Sequence, residues 1–126
     1  MRMILLNLCL WFAASSVLAG PVLDRIAQSG KIVIGYRDAS VPFSYLDAEG
    51  KPVGYAMDLC MKITEAVRTK LKLSGLAVEY VKVTSATRIA AVAEGQVDLE
   101  CESTTNNAER RKVVAFSVPH YITGAR

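Results

Sequence analysis

The run AVEYVKVTSATRIAAVAEGQVDLECESTTNN, Ala77 to Asn107, decides the fold. Its first seven residues alternate in polarity, as a half-buried strand does. SATRIAAVAEG then reads as a short helix stopped by Gly95. VDLEC, 97–101, returns to a strand, and a polar stretch follows. Strand, helix and strand in this order imply parallel pairing through a right-handed crossover. The same alternation continues outward. KIVIGY (31–36) is a strand opened by a turn at Ser29-Gly30. VPFSYLDAEGKPVGYA (41–56) is a hairpin turning at Asp47-Ala48-Glu49-Gly50. A helix over 57–73 carries Leu59, Ile63, Ala66 and Val67 on one face, and Ser74-Gly75 ends it. Toward the C-terminus, Asn107 to Lys112 makes a helix turn or two, VVAFS (113–117) a strand, and YIT before Gly124 another. The class is α/β, a layered domain.

At 126 residues the chain is one domain with a sizeable core. Its apolar fraction of 52% is inflated by the N-terminus. Arg2 is followed by MILLNLCLWFAASSVLA, with small residues at Val17 and Ala19 before Gly20. This is the pattern of a secretory signal peptide over residues 1–19, cleaved after Ala19. A membrane-spanning helix needs about 20 apolar residues, and this run is shorter and broken by Asn7. Without residues 1–19 the chain carries 14 basic and 12 acidic residues, a net of +2. That charge is too weak for a nucleic-acid partner. Cys60 and Cys101 remain. Export permits a disulfide between them, but their apolar positions lead us to expect two buried free thiols.

Ligands of open parallel sheets bind beyond the carboxyl ends of the strands. Three polar segments occupy such ends: Arg37-Asp38-Ala39-Ser40, Thr84-Ser85-Ala86-Thr87-Arg88 and Glu102-Ser103-Thr104-Thr105-Asn106. Thr84 or Ser85 caps the helix that follows, which puts Arg88 in its first turn. A cation there opposes the helix dipole unless an anion sits beside it. Two readings stay open for Arg88: a ligand carboxylate, or an ion pair with an acid such as Glu102. Arg37 likewise faces a ligand or a loop acid such as Asp38. Together the two arginines suit a small molecule with two negative groups. Ser103 and Thr105 add hydroxyls to the same crevice. Asn106 is expected to cap the next helix, with Glu109 as its capping-box partner.

Catalytic readings are weaker. Glu100 and Glu102 share a strand face, but paired acids at this spacing name no substrate. Cys101 and His120 would be a nucleophile and a base without further support. No metal-ligand cluster, phosphate loop or dinucleotide fingerprint occurs, so neither metal nor cofactor is expected.

Residues 22–126 resemble the first lobe of the glutamate/aspartate periplasmic solute-binding proteins of ABC transporters. The runs that carry the resemblance are VLDRIAQSGKIVIGYRDASVPFSY, VGYAMDLCMKI, EAVRTKL, VTSATRIAAVAEGQVDLECESTTNNAERRKVVAFS and TGAR. The resemblance implies an incomplete Venus-flytrap fold, a three-layer α/β lobe on a parallel or mixed sheet, spanning residues 20–126. It implies a periplasmic protein that holds L-glutamate or L-aspartate for an ABC permease, with no enzyme activity. Arg88 would clamp the α-carboxylate, Arg37 and Ser85 the side-chain carboxylate, and Ser103 and Thr105 the α-amino or α-carboxylate group.

Two departures bear on this expectation. The family usually has glycine where this chain has Glu102. That carboxylate either pairs with Arg88 and weakens acidic ligands, or points to solvent. The chain also ends near the first crossing into a second lobe, so a fragment is expected, and half a cleft should bind L-glutamate poorly. Two alternatives use the same module: the ligand-sensing extracellular domain of a receptor, which a downstream transmembrane helix would reveal, and an enzyme such as a dehydratase or peptidoglycan lyase. Loss of turnover on changing Glu100 or Glu102 would favour the enzyme.

Overall fold

A computed structural model describes residues 20–124. The expected signal peptide lies outside the described residues. Strand β1 (Lys31–Tyr36) is the centre of the main sheet. It pairs in parallel with β5 (Ala77–Lys82) along its whole length, from Lys31 opposite Ala77 to Tyr36 opposite Lys82. On its other side Ile34 and Gly35 pair in parallel with Leu99 and Glu100 of β6. A central strand must be apolar on both faces, and Ile32 and Ile34 are fully buried.

Two core clusters lie about this sheet. Ile34, Met57, Cys60 and Cys101 form one, in which α2 (Tyr55–Lys70) packs beside Tyr36, Val78 and Leu99. Val83, Ala91 and Val97 form the other, with Val33 and Val92, where α3 (Arg88–Ala93) packs. Successive strand residues point to opposite faces, so Val33 and Ile34 serve different clusters. The result is the expected layered α/β arrangement. Helix α1 (Pro21–Ser29) precedes β1 and ends at Gly30, whose left-handed backbone lets its N–H reach the Ile26 carbonyl at 2.9 Å. Arg25 of α1 forms an ion pair with Asp98, which also accepts the Val33 N–H at 2.8 Å. One buried carboxylate thus ties α1, β1 and the entry to β6 together.

The expected hairpin forms in a second, antiparallel sheet of β2 (Ala39–Ser40), β3 (Ser44–Leu46) and β4 (Pro52–Val53). Its turn is held by Asp47, whose Oδ1 accepts the N–H groups of Glu49 and Lys51 at 3.1 and 2.8 Å. At Gly54 the backbone has φ 128°, and a Cβ would lie 2.6 Å from the Phe43 carbonyl oxygen. Only glycine fits there.

Several boundaries differ from expectation, each for a local reason. Helix α2 starts two residues early, because the Pro42 and Phe43 carbonyls accept the Tyr55 and Ala56 N–H groups at 2.9 Å. It stops before Ser74-Gly75, in a turn where Lys72 takes φ 54° and the Leu73 N–H returns to the Arg68 carbonyl. Helix α3 begins at Arg88, but its entry is capped at Thr84. Thr84 Oγ1 accepts the Thr87 N–H, and Thr87 Oγ1 accepts the Thr84 N–H. Asn107, rather than Asn106, caps the next turn by accepting the Arg110 N–H at 2.9 Å. That turn is a 3-10 helix at Arg110–Lys112, and Glu109 pairs with Lys112.

VVAFS and YIT are not strands. A strand exists only with a ladder partner, and β6 pairs with β1 on one side alone among the described residues. The thiol expectation is also overturned. Cys60 on α2 and Cys101 after β6 are joined in a disulfide, with their Cα atoms 6.3 Å apart.

Candidate functional site: two arginines on one carboxylate

The carboxyl ends of β1 and β6 and the entry to α3 meet at one point, and Glu102 fills it. Arg37 follows β1 directly. Its backbone is fixed by the fully buried Ser44, whose hydroxyl accepts the Arg37 N–H at 2.9 Å and donates to its carbonyl at 3.2 Å. The Arg37 guanidinium then donates to Ser85 Oγ at 2.8 Å and lies 3.7 Å from Glu102. Asp38 goes elsewhere and pairs with Lys82, which holds its carboxyl below the usual aspartate range. Arg88 reaches Glu102 from α3 in a direct ion pair. The Glu102 side chain is only 1% exposed and that of Arg88 11%, so solvent screens this pair little.

Hydroxyls complete the shell. Ser103 Oγ donates to Glu102 Oε2 at 3.1 Å, and Ser40 Oγ lies 3.4 Å from the same oxygen. Thr104 Oγ1 lies 2.9 Å from Glu102 Oε1 and 2.8 Å from Glu100 Oε2. One hydroxyl carries one proton and cannot serve two ionised carboxylates fully. Burial lifts the Glu100 carboxyl above its usual value, against the Thr104 hydrogen bond and Arg88. A protonated Glu100 donating to Thr104, which donates to Glu102, satisfies this geometry. Burial also lowers the Arg88 guanidinium from its usual value, with Glu100 opposing. Among the described residues, two buried side-chain polar atoms have no partner: Nε of Arg88 and Oε1 of Glu100.

Arg37, Ser85, Arg88 and Ser103 are therefore brought together, as the strand-end reading expects. Thr105 lines the same 1070 Å³ groove as Arg88 and Ser103, but its described hydrogen bond is a backbone one, from Arg110 to its carbonyl. Thr104 and Ser40 take the polar contacts that sequence reasoning missed. Strand alternation would put 103 and 105 on one face, but β6 ends at Glu100 and the chain beyond it is irregular. Of the open readings for Arg88 and Glu102, the ion pair forms. The Cys101–His120 pair is excluded as a nucleophile and base, since the Cys101 sulfur is in a disulfide.

The fold is a partial α/β lobe, with two arginines and several hydroxyls gathered at its strand ends. Residues 32–126 match the bacterial extracellular solute-binding proteins, family 3, and the chain belongs to that family. It is 54% identical over 105 residues to the L-glutamate/L-aspartate-binding protein of Pseudomonas aeruginosa, covering 82% of this chain and 35% of that protein. The cyclohexadienyl dehydratase of the same organism is more distant, 27% identical over 92% of this chain and 41% of its own length. Among solved structures, the arginine-bound form of domain 1 from TmArgBP matches with a TM-score of 0.67. It is 28% identical and covers 79% of this chain and 71% of that one. The chain thus spans about a third of the length of the binding protein that it resembles at 54% identity.

Proposed function

We propose that this chain supplies the first lobe of a periplasmic receptor that holds L-glutamate or L-aspartate for an ABC uptake permease. The observation that carries this reading is the convergence of Arg37 and Arg88 on a single carboxylate, with hydroxyl donors around it. Paired guanidinium groups and hydroxyls are the chemistry that retains a small anion. The likeness to a glutamate/aspartate-binding protein supports the same ligand class. In this reading Arg88 takes the α-carboxylate, Arg37 and Ser85 the side-chain carboxylate, and Ser103 and Thr105 the α-amino or α-carboxylate group. Residues 1–19 act as the cleaved leader and 20–126 as the lobe. The Cys60–Cys101 disulfide suits an oxidising compartment outside the cytoplasm.

A lobe supplies one wall of a cleft, so affinity in the chain alone is expected to be weak and is best followed by NMR. L-Glutamate and L-aspartate should shift resonances around Arg37, Ser85 and Arg88. Arg88→Ala should weaken this by about tenfold or more, as expected for loss of a charge-assisted contact. Equal binding by Arg88→Ala, or shifts confined to another surface, would sink the assignment.

A further inference from the structure

We propose that Glu102 is a tethered competitor: its carboxylate occupies the place of one ligand carboxylate and sets how tightly acidic amino acids bind. The proposal rests on the receptor reading above and deepens it. Glu102 is a charged side chain that is almost wholly buried, in contact with five polar side chains. Two of those are the arginines assigned to the ligand. Burying a carboxylate this fully is costly unless it is paired and hydrogen-bonded, and here both conditions are met from within the chain. An incoming dicarboxylic amino acid meets arginines whose charge is already answered.

The charge count gives the consequence. Arg37 and Arg88 bring two positive charges to Glu102, and its carboxylate answers them with one negative charge. Glycine at position 102 would leave both guanidinium groups without that carboxylate. The Nε of Arg88 has no partner among the described residues and is buried, so an incoming group reaches it only when the side chains around it move. Binding a second ligand carboxylate requires Glu102 to leave its shell or to be protonated. Glu102 is thus an affinity- and specificity-setting residue, and its removal should favour glutamate and aspartate over their amides.

The test uses the chain, Glu102→Gly and Glu102→Gln, each titrated with L-glutamate, L-glutamine and, separately, acetate, while the Arg Nε–H resonances are followed by NMR. Glu102→Gly should bind L-glutamate about tenfold more tightly, the size of effect that one like charge removed from a buried site produces. Its preference over L-glutamine should rise with it. Acetate, which carries the carboxylate alone, should move the Arg88 Nε–H signal in this variant at concentrations where the parent is silent. Glu102→Gln keeps the side-chain volume and serves if the glycine variant fails to fold, with the same direction at smaller size. If no form binds L-glutamate but acetate still discriminates, the receptor reading fails and the competitor stands. If acetate moves Arg88 equally in the parent and the variants, the competitor is overturned, whatever glutamate does.

Discussion

At the scale of the residue, the centre turns on where its protons and charges sit. Glu100 is lifted by burial, so the folded chain keeps a proton that the unfolded chain has released. The sign follows: this group favours the folded state fully below the usual glutamate value, and the contribution is lost as the pH rises through the folded value. Glu100→Gln removes the titration while keeping the shape, and its amide N–H can make the donation to Thr104 that the protonated acid makes. The variant's advantage in stability over the parent should therefore grow as the pH rises above the usual glutamate value. Urea denaturation at a series of pH values measures it. A difference that stays constant with pH would mean that Glu100 is not the buried acid described. Arg37 and Arg88 were legible in the sequence because strand ends are where a parallel sheet presents ligands. The direction of Glu102 was not, since a single carboxylate after a strand fits an ion pair and solvent equally well. Thr104 and Ser40 escaped because no periodicity governs the irregular chain that holds them.

At the scale of the element, β1, β5 and the hairpin could be read because their side-chain patterns are complete within each segment. VDLEC was legible as a strand, although only its Leu99 and Glu100 pair with β1; VVAFS was not, since a ladder is a property of two segments and the sequence of one does not reveal its neighbour. The Cys60–Cys101 bridge escaped for the same reason: it depends on how α2 approaches the end of β6, not on the spacing of 41 residues. That bridge ties a helix to the residue immediately before Glu102. Its loss should cost about 2–4 kcal/mol, mostly through the freedom returned to the unfolded chain. Reduction, or a double Cys60→Ala, Cys101→Ala change, should lower the thermal midpoint. It should also broaden the NMR signals of Glu100 to Thr104, because the segment then loses its covalent tie to α2. An unchanged midpoint would show that the two cysteines are not bridged in the folded protein.

At the scale of the whole molecule, two features of the described surface favour association. The outer edge of β6 has no strand partner among the described residues. Beside it runs the 1070 Å³ groove, lined in part by Leu59, Ile63, Leu99, Val114 and Phe116. Val118 and Ile122 on the same C-terminal segment are 82% and 89% exposed. An open edge is a template for another chain, and contiguous apolar surface adds a driving force for association. Burying such surface returns roughly 25 cal/mol per Å², so a few hundred Å² covered by a second copy suffices for weak self-association against the entropy of pairing. Residues 20–126 should therefore sediment as a concentration-dependent mixture of monomer and larger species over about 10–500 μM, the range of such weak contacts. Charge placed in the groove acts directly on that driving force. Ile122→Lys and Val118→Lys together should shift the mixture toward monomer without altering the Arg88–Glu102 centre, as the Arg88 Nε–H signal would report. Sedimentation as a single monomer across the whole range would show that neither the edge of β6 nor the groove drives association.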